Sequence, residues 1–371
     1  MQTAVLGYSR PSLREEEETM ITASPISAPQ RGARWRMPVL VLGLLLLLVG
    51  AVIVSSGVGP ARISPGQVLA VLTGRSQAED IRAIVLGLRL PRALAAAVVG
   101  AGLSAAGVLF QGLFRNPLAD PFVLGSSGGA ALGGAAAILL IPSLTFAGFG
   151  ATALCAFLGS NVAIAIVYGL ASLDRRASVT GMLLAGFVVG TMLNAITSGL
   201  VLWQESNGGM GARILGAWLH GEISAPSWTE LEIVFALAAA GLAAAAVLAE
   251  RLNTFALGDD YAQQLGLNLE HTRIGIVVTA SLLTAVAVCL SGIVGFVGLL
   301  IPHLVRLVQG PDHRRLLPVS ALGGAVFLVI ADTFARSIRP PYELPVGILT
   351  AILGGPAFLY VLRRHRHEVY L

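Results

Sequence analysis

Apolar positions along this chain fall in long uncharged runs, not in the alternation of a half-buried strand or the one-sided stripe of a soluble helix. The stretch from Pro38 to Ser56 carries no charged side chain. It is close to the roughly 20 residues a helix needs to cross a bilayer. Similar runs recur at about Arg92–Phe114, Val123–Ile141, Gly148–Ser172, Gly181–Leu202, Trp228–Arg251, Ile274–Ser291, Ile293–Val308, Pro318–Ser337 and Leu344–Arg363. Each is expected to be a transmembrane helix, which predicts an all-α polytopic membrane protein of about ten spans. The division at Ser291-Gly292 rests on a single Ser-Gly break in a run too long for one span.

The polar intervals predict smaller elements. Ser64-Pro65 is a helix start, with Ser as cap and Pro at the first position, and Gly74 stops that helix after Thr73. It is too short to cross a membrane and is placed on the surface. Asn253–Arg273 is the longest polar segment between spans on the side that the span-end arginines mark as inner. Asp259 and Asp260 suit a helix N-terminus. Tyr261 and Leu265, four apart, share a face, and Gly266 is a stop. A short amphipathic helix outside the membrane follows, with a second short one after it.

Composition narrows the class. Hydrophobic residues make up 55% and charged residues 12% of the chain, far from a soluble domain's balance. All 24 basic Lys/Arg positions are arginine. A Walker A loop places a lysine on phosphates, so the chain carries no standard ATPase site, and lysine Schiff-base chemistry is excluded with it. Cys155 and Cys289 sit inside apolar runs without metal or redox spacing, and no His/Cys/carboxylate cluster suggests a bound metal. Residues 1–36 are polar, with the acidic run Glu15–Glu18, and read as a disordered tail without signal-peptide character.

Arginines near span ends set orientation. With an even span count both tails share one side. That side collects Arg31, Arg34, Arg36, Arg115, Arg175, Arg176, Arg251, Arg273, Arg306, Arg314, Arg315, Arg363, Arg364 and Arg366. Both termini are therefore expected in the cytoplasm, with the chain in the plasma membrane. The exceptions cluster at Arg82/Arg89/Arg92 and Arg336/Arg339. Within the spans, Asp332 lies four before Arg336, where the two can pair. His303 follows Pro302 at an expected kink, where a helix-bracing hydrogen bond is the preferred role.

The most informative stretch is Arg89–Gly134. An arginine-flanked entry, RLPR, leads into an apolar run, then a polar hinge containing NPLADP, then a ladder with Gly125, Gly129 and Gly133 spaced by four. Asn-Pro and Asp-Pro break the helix, and the spaced glycines allow close helix approach in lipid. NPLADP followed by a Gly/Ser run resembles the second and third spans of the FecCD-type permeases, the membrane subunits of type II ABC importers for iron–siderophore, haem and cobalamin. SGIVGFVGLLIPHLVRL and ELPVGILTAILGGPAFLYVL resemble that family's eighth and tenth spans. The resemblance runs from about Ile63 to Arg364 and supports two spans around Ser291-Gly292.

The resemblance implies the type II importer permease architecture, with a permease domain over 37–366, a coupling loop at 253–273 and a cytoplasmic end at 367–371. It implies that Arg89, Arg92 and Arg336 dock acidic residues of an extracytoplasmic binding protein; snorkelling or lipid-phosphate contact is the alternative for arginines at span ends. In the coupling loop, Ala256, Leu257, Gly258, Asp259, Asp260, Gln264, Leu265 and Gly266 would meet an ATPase subunit; Gln263 departs from the family pattern. Gly186, Gly190 and Asn194 would line the path, or the glycines would pack helices. Ser178, Val179 and Thr180 would form the inner gate, and Asn116, Pro117, Asp120 and Pro121 a cytoplasmic hinge. The implied partners are a second permease subunit, identical or related, two ATPase subunits that hold the ATP, the binding protein and the bilayer, with no nucleic acid. No cofactor is expected in the chain, which would carry a ferric siderophore, haem or cobalamin and catalyse no covalent chemistry. A secondary transporter would need buried carboxylates in several discontinuous spans. An intramembrane enzyme would need convergent catalytic groups, and neither pattern is present in the sequence. A structural or assembly role would leave the outer arginines and the 253–273 loop unexplained.

Overall fold

The computed structural model describes residues 33–75, 78–141, 145–146, 149–171, 179–206, 211–338 and 342–364. It divides into two units, Met1–Val39 and Leu40–Leu371, and the second holds the helical bundle. Of the expected tail at 1–36, residues 33–36 are helical and residues 1–32 lie outside the described residues, as do the end at 367–371, Ser178, Arg175, Arg176 and Arg339.

Uncharged runs become helices because a helix satisfies its own backbone where water is absent. Each expected span coincides with one: α1 Ala33–Gly57, α4 Leu90–Leu113, α5 Ser126–Leu140, α6 Ala151–Ala171, α7 Val179–Ser206, α9 Trp228–Phe255, α11 Leu269–Ser291, α12 Val297–Gln309, α13 His313–Ser337 and α14 Val346–Arg364. Among the described residues, seven helical segments are long and apolar enough to cross a membrane, while α5, α12 and α14 give shorter apolar helices. Among the described residues, four further α-helices lie between them: α2 Pro65–Leu72, α3 Glu79–Ile84, α8 Gly211–Leu219 and α10 Asp259–Gln264. A two-residue antiparallel pair, β1 Thr145–Phe146 with β2 Phe149–Gly150, joins α5 to α6.

Helix α2 begins as expected, with a reciprocal capping box. The Gln67 amide donates to Ser64 Oγ at 3.3 Å and the Ser64 amide donates to Gln67 Oε1 at 2.9 Å. Three boundaries correct the sequence expectation. A π turn at Val85–Arg89 joins α3 to α4, so one helical segment runs from Glu79 to Leu113 instead of starting at Arg92. The second short helix expected in the 253–273 loop is instead the start of α11, capped by Asn268, whose side chain accepts from the His271 amide at 3.0 Å. Helix α8 was not foreseen.

Helix α4 is the axis of the core and is buried along almost its whole length. Small residues let its neighbours approach to backbone contact. A Cβ on Gly100 would lie 2.1 Å from the Gly324 carbonyl oxygen of α13, and one on Gly107 would lie 1.8 Å from that of Gly298 in α12. The glycine ladder of α5 does the same against α6, with Gly129 facing Gly159 and Gly133 facing Cys155. The break after α11 is made by Gly292, whose φ of 63° and closeness to the Trp218 carbonyl leave no room for a side chain.

Candidate functional site

Functional candidates gather at the two ends of α4. At its start, the π turn and the Pro91 step place Arg89 and Arg92 one turn apart. Arg89 turns inward. Its guanidinium donates to the Gly57 carbonyl at 2.9 Å and the Ala61 carbonyl at 2.6 Å, and the residue is 7% exposed. Arg92 forks onto Asp332 of α13 through NH2 at 3.0 Å and Nε at 3.2 Å, and reaches Glu343 Oε2 at 2.5 Å. Arg336, one turn after Asp332, pairs with that same carboxylate at 3.0 Å without hydrogen-bond alignment and donates to Ser55 Oγ at 2.8 Å. Asp332 is fully buried between the two guanidinium groups.

The expected Asp332–Arg336 pair is thus present, and Arg89, Arg92 and Arg336 do come together. They do not stand free, however. Arg89 and Arg336 are buried and hold this chain's own carbonyls, hydroxyl and carboxylate. Two adjoining clefts open over the cluster. One of about 390 Å³ is lined by Arg62, Ile63, Pro65 and Arg336, and one of about 350 Å³ by Arg89, Arg92, Ala225, Arg336 and Glu343. The solvent-facing charges are the exposed Arg62 and the Arg92–Glu343 pair. Glu343 was missed from sequence; its only signal is an acidic residue beside Pro345 at the mouth of a span.

At the other end of α4 the hinge is braced. Asn116 Oδ1 accepts from the Leu118 amide at 2.9 Å, and Asp120 Oδ1 accepts from the Phe122 amide at 2.8 Å, which caps a 3-10 turn over Pro121–Leu124. Burial pushes the Asp120 carboxyl up to about 6, and the Phe122 amide opposes that rise. The Pro117 ring is half-buried, and the Pro121 ring packs on Gly298.

Next to this hinge, α10 and its two ends present exposed apolar side chains. Leu257, Tyr261 and Leu265 are 61%, 65% and 67% exposed. Tyr261 lies within the helix, Leu265 caps its end four residues on, on the same side, and Leu257 stands just before it, across Gly258. Ala256, Asp260, Gln264 and Gly266 are also exposed, and Gly258 opens the helix at a φ of 111°. Asp259 instead points to arginines of its own chain, Arg115 and Arg273.

Of the expected path residues, Gly186 and Gly190 pack against the ladder. A Cβ on Gly125 would lie 3.3 Å from the Gly186 carbonyl oxygen, and one on Gly128 2.9 Å from that of Gly190. These are helix-packing glycines, the alternative the sequence left open. Asn194 and Thr180 are exposed, and α7 begins at Val179. The open face of α7 is instead built from Leu184, Phe187, Val188, Met192 and Ile196. Among the described residues, no group of three or more His, Cys, Asp or Glu could hold a metal ion.

The FecCD transport family model matches residues 45–364. The chain is 43% identical over 285 residues to the cobalamin import system permease protein BtuC of Halobacterium salinarum, covering 77% of this chain and 74% of that one. It is 37% identical to the hemin transport system permease protein HmuU of Yersinia pestis, covering 89% of this chain and 97% of that one. It is also 37% identical to the Fe(3+) dicitrate transport system permease protein FecD of Escherichia coli, covering 88% and 99%. A solved ABC transporter of metal-chelate type, in an inward-facing conformation, superposes with a TM-score of 0.75 at 30% identity, covering 88% of this chain and 99% of that one. With the family model spanning the helical bundle and relatives above 30% identity matching nearly end to end, the chain belongs to the FecCD transport family.

Proposed function

We propose that this chain is the membrane-spanning permease subunit of an ATP-driven importer. With a second permease subunit it forms the path for a ferric siderophore or related chelate, which an extracytoplasmic binding protein delivers. Haem and cobalamin are the alternatives, since relatives of similar identity carry those names. ATP is hydrolysed on two separate ATPase subunits. The observation that carries the proposal is the exposed apolar patch at α10, made by Leu257 before the helix, Tyr261 within it and Leu265 at its end. Three large apolar side chains stand exposed on a polar loop at the end of the bundle opposite the arginine cluster. Such a patch suits a protein partner.

The arginine distribution supports placing that loop and both termini in the cytoplasm, with the chain in the plasma membrane. Binding-protein docking then falls to the two clefts, where Arg62 and the Arg92–Glu343 pair offer accessible charge and Arg89 and Arg336 hold the frame. An incoming carboxylate would take Arg92 from Glu343. The test is uptake into proteoliposomes holding this chain with its candidate ATPase and binding protein. Labelled ferric siderophore, haem and cobalamin are offered in parallel. ATP-dependent accumulation of one chelate supports the proposal. Accumulation that needs no ATPase and follows an ion gradient overturns it in favour of secondary transport.

A further inference from the structure

Among the described residues, every hydrogen bond and ion pair made by an α10 side chain leaves from Asp259. Its carboxylate bridges two arginines. Oδ1 pairs with the Arg115 guanidinium, and Oδ2 meets Arg273 NH2 at 2.5 Å. Arg115 stands just past the end of α4, and Arg273 lies in the first turns of α11. Both guanidinium groups also lie over the Phe255 ring, at 4.8 and 5.6 Å from its centre, a cation–π arrangement. Arg115 further donates to the Phe255 carbonyl through Nε at 3.1 Å and NH2 at 2.7 Å. Phe255 is the last residue of α9. One carboxylate and one ring therefore tie the ends of three spans to the first residue of α10.

The backbone is bent to make this contact. Arg115 holds a φ of 48°, and among the described non-glycine residues only Phe296 shares the left-handed region. That conformation is one an L-residue rarely adopts. Strain of this kind persists where the surroundings fix it, and here the fork onto Phe255 and Asp259 does so. Helix α10 is otherwise lightly held. Gly258 and Gly266 flank it with φ of 111° and 83°, and its one buried side chain is that of Ala262. A six-residue helix between two glycines, held by the Asp259 contacts and one buried methyl, would swivel about Asp259 when pushed.

We infer that Asp259, with Arg115 and Arg273, is a positioning clamp that passes displacement of α10 into α4 and α11, and that Asp259 itself does not touch the ATPase subunit. The inference rests on α10 being the ATPase-facing helix. Helix α4 has 24 residues and at 1.5 Å per residue runs about 36 Å through the core, so the clamp fastens the load to the rod that bears the arginine cluster at its far end.

The test measures chelate uptake and ATP hydrolysis on the same proteoliposomes of the assembled importer. Asp259→Asn keeps the size of the side chain and removes its charge, Asp259→Glu restores the charge, and Arg115→Lys keeps the charge and loses the fork. Asp259→Asn and Arg115→Lys should each lower the chelate imported per ATP hydrolysed by about fivefold or more. The ATPase subunit should still copurify, and Asp259→Glu should recover most of the ratio. A merely structural role would reduce uptake and hydrolysis together and leave their ratio unchanged, which overturns the clamp. Loss of the ATPase subunit from the purified Asp259→Asn complex also overturns it, by making Asp259 a partner contact. Should the Asp259→Asn chain itself not fold, as shown by no monodisperse permease on purification, the ratio in Arg115→Lys decides. Failure of the parent proposal shows separately, as a wild-type chain with no ATP-dependent uptake of any chelate, and takes the clamp with it.

Discussion

Replacing Gly129 by alanine adds a single methyl where two helices meet backbone to backbone. A Cβ on Gly129 would lie 2.2 Å from the Gly159 carbonyl oxygen, and one on Gly159 would lie 2.2 Å from that of Gly129. Ordinary contact begins near 3.4 Å, so α5 and α6 must part or tilt by about 1.2 Å. The obstacle is backbone and cannot rotate away. One turn on, Gly133 would put its own Cβ 2.0 Å from the Cys155 carbonyl, so the same interface loses contact along its length. A radial gap of 0.5–1 Å forfeits about a quarter to a half of the dispersion well, and overpacking costs about 1–3 kcal/mol. Helix propensity opposes this with a gain of about 1 kcal/mol for Gly→Ala. With a contact this short and against backbone, the cost falls in the upper part of that range, the clash wins, and Gly129→Ala should lose up to about 2 kcal/mol. In α1, Gly43 has nothing within 4 Å of its would-be Cβ. Gly43→Ala should therefore keep the propensity gain. The assay heats each variant in nanodiscs and follows the surviving monodisperse fraction. Gly129→Ala melting at or above wild type would refute the reasoning, as would equal shifts for the two variants.

Three further outcomes are expected. Asp332→Asn should destabilise the chain by about 3–5 kcal/mol, because it leaves Arg92 and Arg336 facing each other in a buried site, and thermal unfolding of the purified protein measures it. Asp120 should make stability depend on pH. Its folded value of about 6 lies above an unfolded value near 3.9, so its contribution is full below about pH 4 and is lost as pH rises to about 6. The span is at most about 3 kcal/mol, less for the residue's partial exposure, and a pH series of melts should show the slope vanish in Asp120→Asn. Leu265→Asp should weaken retention of the ATPase subunit roughly tenfold in pull-down while leaving the chain's own melting unchanged, since Leu265 is 67% exposed.

Much of the fold was legible because lipid permits few solutions. A run without charge long enough to cross must be a helix, and even the Ser291-Gly292 break was visible as a glycine. The continuity of Glu79–Leu113 was not, because Glu79, Asp80 and Arg82 read as loop although they lie on the helix beyond its apolar part. At the arginine end, the Asp332–Arg336 pair followed from helical spacing. Glu343 did not, because it meets Arg92 across 251 positions of sequence and no local pattern encodes that pairing. The direction of Asp259 was hidden for a similar reason. Its spacing suits a helix start, while its partners Arg115 and Arg273 sit on other elements. Gly186 and Gly190 showed as small residues, but only the neighbour they face separates packing from lining.

Helix α12 has 13 residues and α7 has 28, about 20 Å and about 42 Å of rise, against a hydrocarbon slab of about 30 Å. The bundle therefore has no single hydrophobic thickness. Where α12 begins, protein takes the place of a continuing helix: the turn at Trp218–Gly221 crowds Gly292, and the Gly347 amide donates to the Gly221 carbonyl at 3.1 Å. Hydrophobic mismatch then acts oppositely on different parts of one subunit. Long-chain lipids strain the flank of the short helices, and short-chain lipids force the long helices to tilt. Lipid chain length thereby becomes a control on helix tilt from outside the protein, and reconstitution in bilayers of graded thickness would move the balance between conformations without any change in sequence.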